Sequence, residues 1–409
     1  MTLVLCSPTG RLLGALAPFP VDTPWWPDVE PVVAGARERY GADVIVLRLL
    51  EAAGTSDTMG GSVAYLAEIA GPVLDLTPAD DHLRALAESD DPLRAPWARP
   101  GGLAATVAWA DHHLADAGTP RTGNAVQVKT WNLSSVLRLP TAYGQVWAKS
   151  VPPFLGHEGA IIEAVGRHAP DVVPAVIAAD RDDRGYTTAL LADVPGEDQW
   201  EAPEPLLVAM IRKWVDVQAD WADRLDELAR LGLPDRRSGP LLTGVRTLAA
   251  RGDVRAELAD GDRDALDALV AALPDRLAEL DACGLPDTLV HGDLHPGNWR
   301  SDGRDLRLLD WGDSGIGHPL LDQSAFLDRI PSPAVQRIAQ QWEQRWLERM
   351  PASRPAEAAR LLAPIAAARQ AVIYRKFLDN IEPSEHPYHE HDPADWLRRT
   401  AEMARGERG

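Results

Sequence analysis

Two short runs place oxygen-bearing side chains at a spacing suited to phosphoryl transfer. They are His291-Gly292-Asp293-Leu294-His295-Pro296-Gly297-Asn298 and Leu308-Leu309-Asp310-Trp311-Gly312-Asp313. The first is an H-x-D-x-x-x-x-N loop, and the second a short apolar strand ending in Asp. Moving a phosphoryl group needs one carboxylate beside the attacking hydroxyl, with an Asn and a second carboxylate holding Mg²⁺ against the nucleotide phosphates. Asp293 fits the first role, and Asn298 and Asp310 the other two. A carboxylate on a tight loop ending in Pro-Gly can be held within hydrogen-bond reach of a hydroxyl. An amide oxygen and a carboxylate oxygen are both hard donors, which suits Mg²⁺.

These residues need elements to position them. Leu3 to Leu5, Leu12 to Leu16, Val44 to Leu47 and Val63 to Leu66 are strand candidates, the last two separated by the loop Gly54 to Gly61. Val29 to Tyr40 fits a helix stopped by Gly41, completing a small α/β unit over about residues 1–90. Asp90 to Gly102, with three prolines and two glycines, is the expected linker before a helix from Leu103 to Ala117. Residues 125–200 then read as strands with one inserted helix, Glu158 to Val165, the pattern of a protein-kinase-like N-terminal lobe. Beyond Pro203 the chain is mostly helical. Leu207, Met210, Ile211, Trp214, Val217, Trp221, Leu225 and Leu228 form one apolar stripe, and Pro274 is expected to kink or divide a helix over Arg263 to Ala282. The expected class is α+β: a two-lobed kinase-like fold behind a small N-terminal α/β cap. Its segments are 1–100 for the cap, 101–200 for the nucleotide-binding lobe and 201–409 for the helical lobe.

Together the two motifs resemble those of the aminoglycoside phosphotransferase and choline-kinase-like family, over about residues 125–400. The resemblance implies a small-molecule kinase using ATP and Mg²⁺, with Asp293 as catalytic base and Asn298 and Asp310 as metal ligands. His291 is implied to be a scaffold residue and Asp322 a buttress of the loop. His295 either touches phosphate or supports the loop, and Asp313 either contacts the acceptor or stabilises the following turn. In the N-terminal lobe, Lys149 is suited to the α- and β-phosphates, with Glu158 pinning it and Glu163 as the rival partner. A lysine guarding a sheet edge is the alternative for Lys149. The turn Thr130 to Ser135 lacks the kinase glycine set, so phosphates would meet its backbone and the hydroxyls of Ser134 and Ser135. Leu190 to Gly196, with Asp193, has the look of the hinge that bonds the purine.

The acceptor is less well marked. The segment 379–392 is dense in polar groups, and Asp379, Glu382 and Glu385 are expected to bond sugar hydroxyls or ammonium groups, a plain surface loop being the alternative. Its three histidines lack a cysteine or a regular spacing that would argue for zinc. A formal charge of −20 disfavours a nucleic-acid partner and favours a cationic acceptor, an aminoglycoside or an amino sugar such as glucosamine. A neutral-sugar or amino-alcohol kinase is the runner-up, and a non-catalytic nucleotide-binding module the reading of another class. Two distant cysteines form no disulfide framework, and no run approaches the length of a membrane span, so a cytoplasmic protein is expected.

Overall fold

A computed structural model describes residues 1–22, 25–53, 61–71 and 75–406, so most of the loop expected from Gly54 to Gly61 lies outside the described residues. The chain divides into two units that interleave in sequence. The first takes 1–156, 176–193 and 377–390, and the second takes 157–175, 194–376 and 391–409.

The first unit contains two sheets. Strands β1 (Thr2–Cys6), β2 (Leu12–Ala15), β3 (Val44–Ala53) and β4 (Ser62–Ile69) pair in the order β2-β1-β4-β3, with β1 and β4 parallel. Successive β1 side chains point to opposite faces. Leu3 and Leu5 accordingly pack with Val32 and Ala36 of helix α1 (Glu30–Tyr40), whereas Val4 and Cys6 pack with Leu83 and Ala87 of α2 (Asp81–Glu88). The second sheet is antiparallel: β5 (Val126–Thr130), β6 (Ser135–Thr141), β7 (Gly144–Val151), β8 (Val176–Arg181) and β9 (Thr187–Ala192), in the order β5-β6-β7-β9-β8. Leu103, Ala110 and Leu114 of α3 (Gly102–Asp116) cover its face formed by Leu137, Leu139, Val146, Ala148 and Leu190. The two sheets meet through Gln127, whose amide donates to Val46 O at 2.7 Å and accepts from Val46 N at 2.9 Å. Both β3 and β5 are sheet edges, so this exchange satisfies ladder groups that would otherwise invite pairing.

The second unit is mainly helical. It contains α4 (Glu158–His168), the short strand β10 (Glu197–Asp198), α5 (Glu204–Trp221), α6 (Leu225–Arg230), β11 (Asp235–Arg236), α7 (Ser238–Ala249), α8 (Gly252–Ala256) and α9 (Asp260–Asp281). The strands β12 (Thr288–Val290), β13 (Trp299–Ser301), β14 (Leu306–Leu308) and β15 (Gly315–Gly317) follow, then α10 (Leu320–Leu327), α11 (Ser332–Arg349), α12 (Pro355–Leu378) and α13 (Asp392–Gly406). The stripe on α5 is buried, including Leu207, Met210, Trp214 and Trp221. It does not continue as one helix to Leu228, because a 3₁₀ turn at Ala222–Arg224 separates α5 from α6. Pro274 does not divide its helix; α9 runs through it. No described helix is long and apolar enough to cross a membrane.

Candidate active site

The β13–β14 hairpin sets the geometry. Trp299 pairs with Leu308, and Leu309 N donates to Asn298 O at 2.8 Å, so the ladder runs one residue past both strands. That extension places Asn298 across from Leu309, the residue before Asp310. Asp310 is exposed and adopts a left-handed backbone, φ 61°. A non-glycine residue held there costs about 1–3 kcal/mol, a strain that concentrates at functional sites. On the following residue, Trp311 N donates to Glu158 Oε1 at 3.0 Å, and Glu158 is buried at the start of α4. Its rival Glu163 is 64% exposed and faces Arg167.

The loop before the hairpin is tied to the same point. His291 Nε2–H donates to Leu309 O at 3.0 Å, and burial pushes its imidazole down to about 4, so the ring is neutral at physiological pH. This is the scaffold role expected of it. Asp322, fully buried on α10, accepts from His291 N and Gly292 N at 2.9 Å each, from Trp214 Nε1 at 2.9 Å and from Gln218 Nε2 at 3.1 Å. Burial still raises its carboxyl to about 6 against the pull of those donors. Gly292 has φ 90°, and a Cβ there would stand 2.0 Å from Asp313 O, so only glycine fits.

Asp293 is held at the turn with its side chain 42% exposed. Asn298 Nδ2 donates to its backbone O at 2.8 Å and to Oδ2 at 3.3 Å, which turns the Asn298 amide oxygen away from this bond. His295 Nε2 lies 3.5 Å from Asp293 Oδ2. Burial works to raise the Asp293 carboxyl, but the hydrogen bond and charge of His295, with His291 and Arg329 adding, bring it down to about 2. Trp200, which nothing in the sequence marked, stacks on His295 with centroids 4.5 Å apart and planes at 16°. His295 is 9% exposed beneath it, which favours its loop-supporting role.

Asn298 and Asp310 offer hard oxygens, few enough to leave coordination positions for phosphate oxygens and water, the manner in which Mg²⁺ is usually held. Among the described residues there is no cluster of three or more His, Cys, Asp and Glu able to hold a metal by themselves. The residues therefore fit a Mg²⁺ that would take further oxygens from phosphate and water.

The other expected residues are distributed as follows. Lys149 sits on β7, the middle strand of its sheet, between Val136 and Ala189 and on the face away from α3. It is no edge guard. Asp193 Oδ1 accepts from Trp147 Nε1 at 2.6 Å, and the boundary between the two units falls directly after it. Ser134 and Ser135 are buried at 6% and 2% exposure, and the Ser134 hydroxyl accepts from Trp131 Nε1 at 2.7 Å. Neither hydroxyl is open to a phosphate, which corrects that expectation. Glu382 and Glu385 also correct the expected acceptor wall. Glu382, 3% exposed, accepts from Arg94 Nη2 at 2.8 Å, and Glu385, 1% exposed, takes Asn132 N on both oxygens at 2.9 and 3.0 Å. Asp379 alone of the three is exposed. Asp313 is half-buried, 3.9 Å from Arg236 Nη2. No sequence motif marks Arg236 or Arg369. The isolated charge of Arg369 within the apolar helical run Leu361 to Ala371 was the available signal.

The phosphotransferase enzyme family, APH, matches residues 121–361, more than half of the chain. Among solved structures, a Ralstonia eutropha chain provisionally assigned to the aminoglycoside phosphotransferases is similar, with 15% identity, 74% of this chain and 98% of that chain covered, and a TM-score of 0.53. The macrolide 2′-phosphotransferase MphH from Brachybacterium faecium shows 19% identity over 71% of this chain and 97% of that one, TM-score 0.48. A Plasmodium vivax ethanolamine kinase shows 10% identity over 69% and 81%, TM-score 0.46. No curated protein sequence matches. At such identities the likeness is one of fold, which is α+β and protein-kinase-like. The chain belongs to the APH phosphotransferase enzyme family and is a small-molecule phosphotransferase.

Proposed function

We propose that this chain transfers the terminal phosphoryl group of ATP to a hydroxyl of a small polar acceptor, with Asp293 orienting that hydroxyl. The observation that supports this reading is that Leu309, the residue before Asp310, bonds both Asn298 O and the His291 ring of the Asp293 loop. Asn298 and Asp310 would hold Mg²⁺, which when bound neutralises charge on the phosphates. As the acceptor oxygen bonds to phosphorus and ADP leaves, Asp293 accepts the hydroxyl proton. A carboxylate brought down to about 2 is a weak base, so it takes that proton late and works mainly by positioning. Lys149 is proposed for the α- and β-phosphates with Glu158 as its orienting acid, and the backbone around Asp193 for the purine.

Among acceptors, the aminoglycoside or amino-sugar reading rests on the net charge of −20 and on Asp379, since burial removes Glu382 and Glu385 from it. Neutral sugars and amino alcohols use the same machinery. The test is ADP release with Mg²⁺·ATP across aminoglycosides, amino sugars, plain sugars and hydroxy acids, with Asp293→Asn as control. Turnover should fall ~10²-fold or more in that variant while the thermal shift by Mg²⁺·ATP persists. Turnover near that of the unaltered protein would remove Asp293 from its role, and absence of ADP release with every acceptor would favour a nucleotide-binding module.

A further inference from the structure

The second unit contains a cavity of about 150 Å³ between α7 and α12, whose charged lining is three cations and one acid, Asp235. Arg236, Arg369 and Lys376 line it, over an apolar wall of Leu241, Val372 and Ile373. Arg369 is 3% exposed, and its Nε and Nη2 have no hydrogen-bond partner among the described residues; Arg236 Nη1 is buried and equally unmatched among them. Buried charged donors left unpaired are costly, and two guanidinium groups with open donors in one cavity match the two-pronged bonding that carboxylate and phosphate oxygens accept. Of the nearby acids, Asp235 and Asp322 are bonded elsewhere, and Asp313 forms one long ion pair with Arg236. Asp235 is held on both oxygens by Arg237, at 2.9 and 2.6 Å, and Asp322 serves the catalytic loop. Asp313 approaches Arg236 no nearer than 3.9 Å. Burial and the repulsion of Arg369 push Arg236 down to about 9, with the charges of Asp313 and Asp322 opposing.

The cavity shares a wall with the active site. Arg369 Nη1 donates to Gly292 O at 3.3 Å, directly before Asp293, and Arg236 packs against Gly292 and Gly315. We infer that this pocket receives the carboxylate or phosphate-ester group of the acceptor, so that the hydroxyl phosphorylated belongs to an acid. The inference rests on the phosphotransferase reading and gives it a substrate class opposite in sign to the one that the net charge suggests. An aliphatic wall beside the cations suits a ligand with a short carbon chain behind its anionic group.

Two measurements test it. Inorganic phosphate should raise the Tm of the full chain relative to chloride at equal ionic strength. That rise should survive Lys149→Ala, which addresses the nucleotide phosphates, and vanish in Arg236→Gln and in Lys376→Gln. The exposed Lys376 keeps the test usable if the buried arginine variant fails to fold. In ADP-release assays, hydroxy acids or sugar phosphates should exceed their uncharged counterparts by ~10²-fold in kcat/KM, and Arg236→Gln should raise acceptor KM ~10-fold with ATP KM unchanged. No phosphate-dependent shift would overturn the anion site. A phosphate shift with faster turnover of neutral or cationic acceptors would overturn the acceptor assignment, the anion then being a separate effector. An Arg236-dependent shift without ADP release from any acceptor supports the site and counts against the phosphotransferase reading alone.

Discussion

At the scale of single residues, the two acidic groups of the site are prepared differently. Asp293 lies beside His295 with its carboxyl brought down to about 2. Its folded value is below the ordinary one, so the stability it contributes is present above about pH 4 and lost only as pH falls toward 2. It is thus ionised across the neutral range, and no loss of kcat between pH 5 and 7 should trace to it. Asp310 instead carries backbone strain, with φ 61°. Replacing it with glycine keeps that conformation at no steric cost, which separates chemistry from folding. Asp310→Gly should weaken Mg²⁺·ATP binding ~10-fold or more by titration calorimetry, in the range set by loss of metal ligation, while Tm stays level or rises. Normal Mg²⁺·ATP affinity in that variant would remove Asp310 as a ligand.

Elements decide which of two similar acids can act. Glu158 and Glu163 both lie on α4, but Glu158 points inward to Trp311 N and Glu163 points to solvent beside Arg167. Glu158→Gln should lower kcat/KM for ATP ~10-fold or more, and Glu163→Gln should change it less than about 2-fold, as expected of an exposed site. Comparable losses in the two variants would contradict the assignment of Glu158. The start of α10 acts similarly on the loop. Asp322→Asn would turn an amide donor toward the N–H groups of His291 and Gly292. Leaving such buried donors unmatched should cost about 2–4 kcal/mol in denaturant unfolding and reduce kcat, because the loop loses its anchor.

At the scale of the chain, distant segments meet where no local pattern announces them. Glu385 accepts from Asn132 across more than 250 residues of sequence, within the first unit. The same turn is packed with aromatics: Trp25 lies edge-on to Trp131 at 5.0 Å, and Trp26 stacks on Tyr388 at 4.9 Å. Burial pushes the Glu385 carboxyl up to about 8, with the Asn132 donors opposing and Glu382 adding to it. Since the folded value exceeds the unfolded one, near 4.3, the folded chain keeps a proton that the unfolded chain releases. Its contribution to stability therefore falls as pH rises from about 4 to 8. Glu385→Gln imitates the protonated form and should narrow the Tm gap between pH 5 and pH 8, by roughly 2–4 °C per kcal/mol recovered. An unchanged gap would show that Glu385 titrates normally. The net charge of −20 belongs to this scale too; it describes the whole surface and hides a cavity lined by Arg236, Arg369 and Lys376.

The amino-acid sequence alone determines whatever depends on neighbours in the chain. The place of Asp293, Asn298 and Asp310, whose roles are proposed above, was legible because one loop and one hairpin hold all three, so their spacing encodes where they lie. The strands of both sheets were legible as short apolar runs between turn residues, and the stripe of α5 because a periodicity of 3.6 records which face is buried. Side-chain fate at long range was not. Glu382 and Glu385 look like open ligands in sequence, and only the fold shows them spent on Arg94 and Asn132. Ser134 looks available until Trp131 takes its hydroxyl. Arg236 and Arg369 stand more than a hundred residues apart, and nothing but tertiary packing brings their unmatched guanidinium groups into one cavity beside the catalytic loop. Burial and pairing are properties of the surroundings of a group, and those surroundings exist only once the chain has folded.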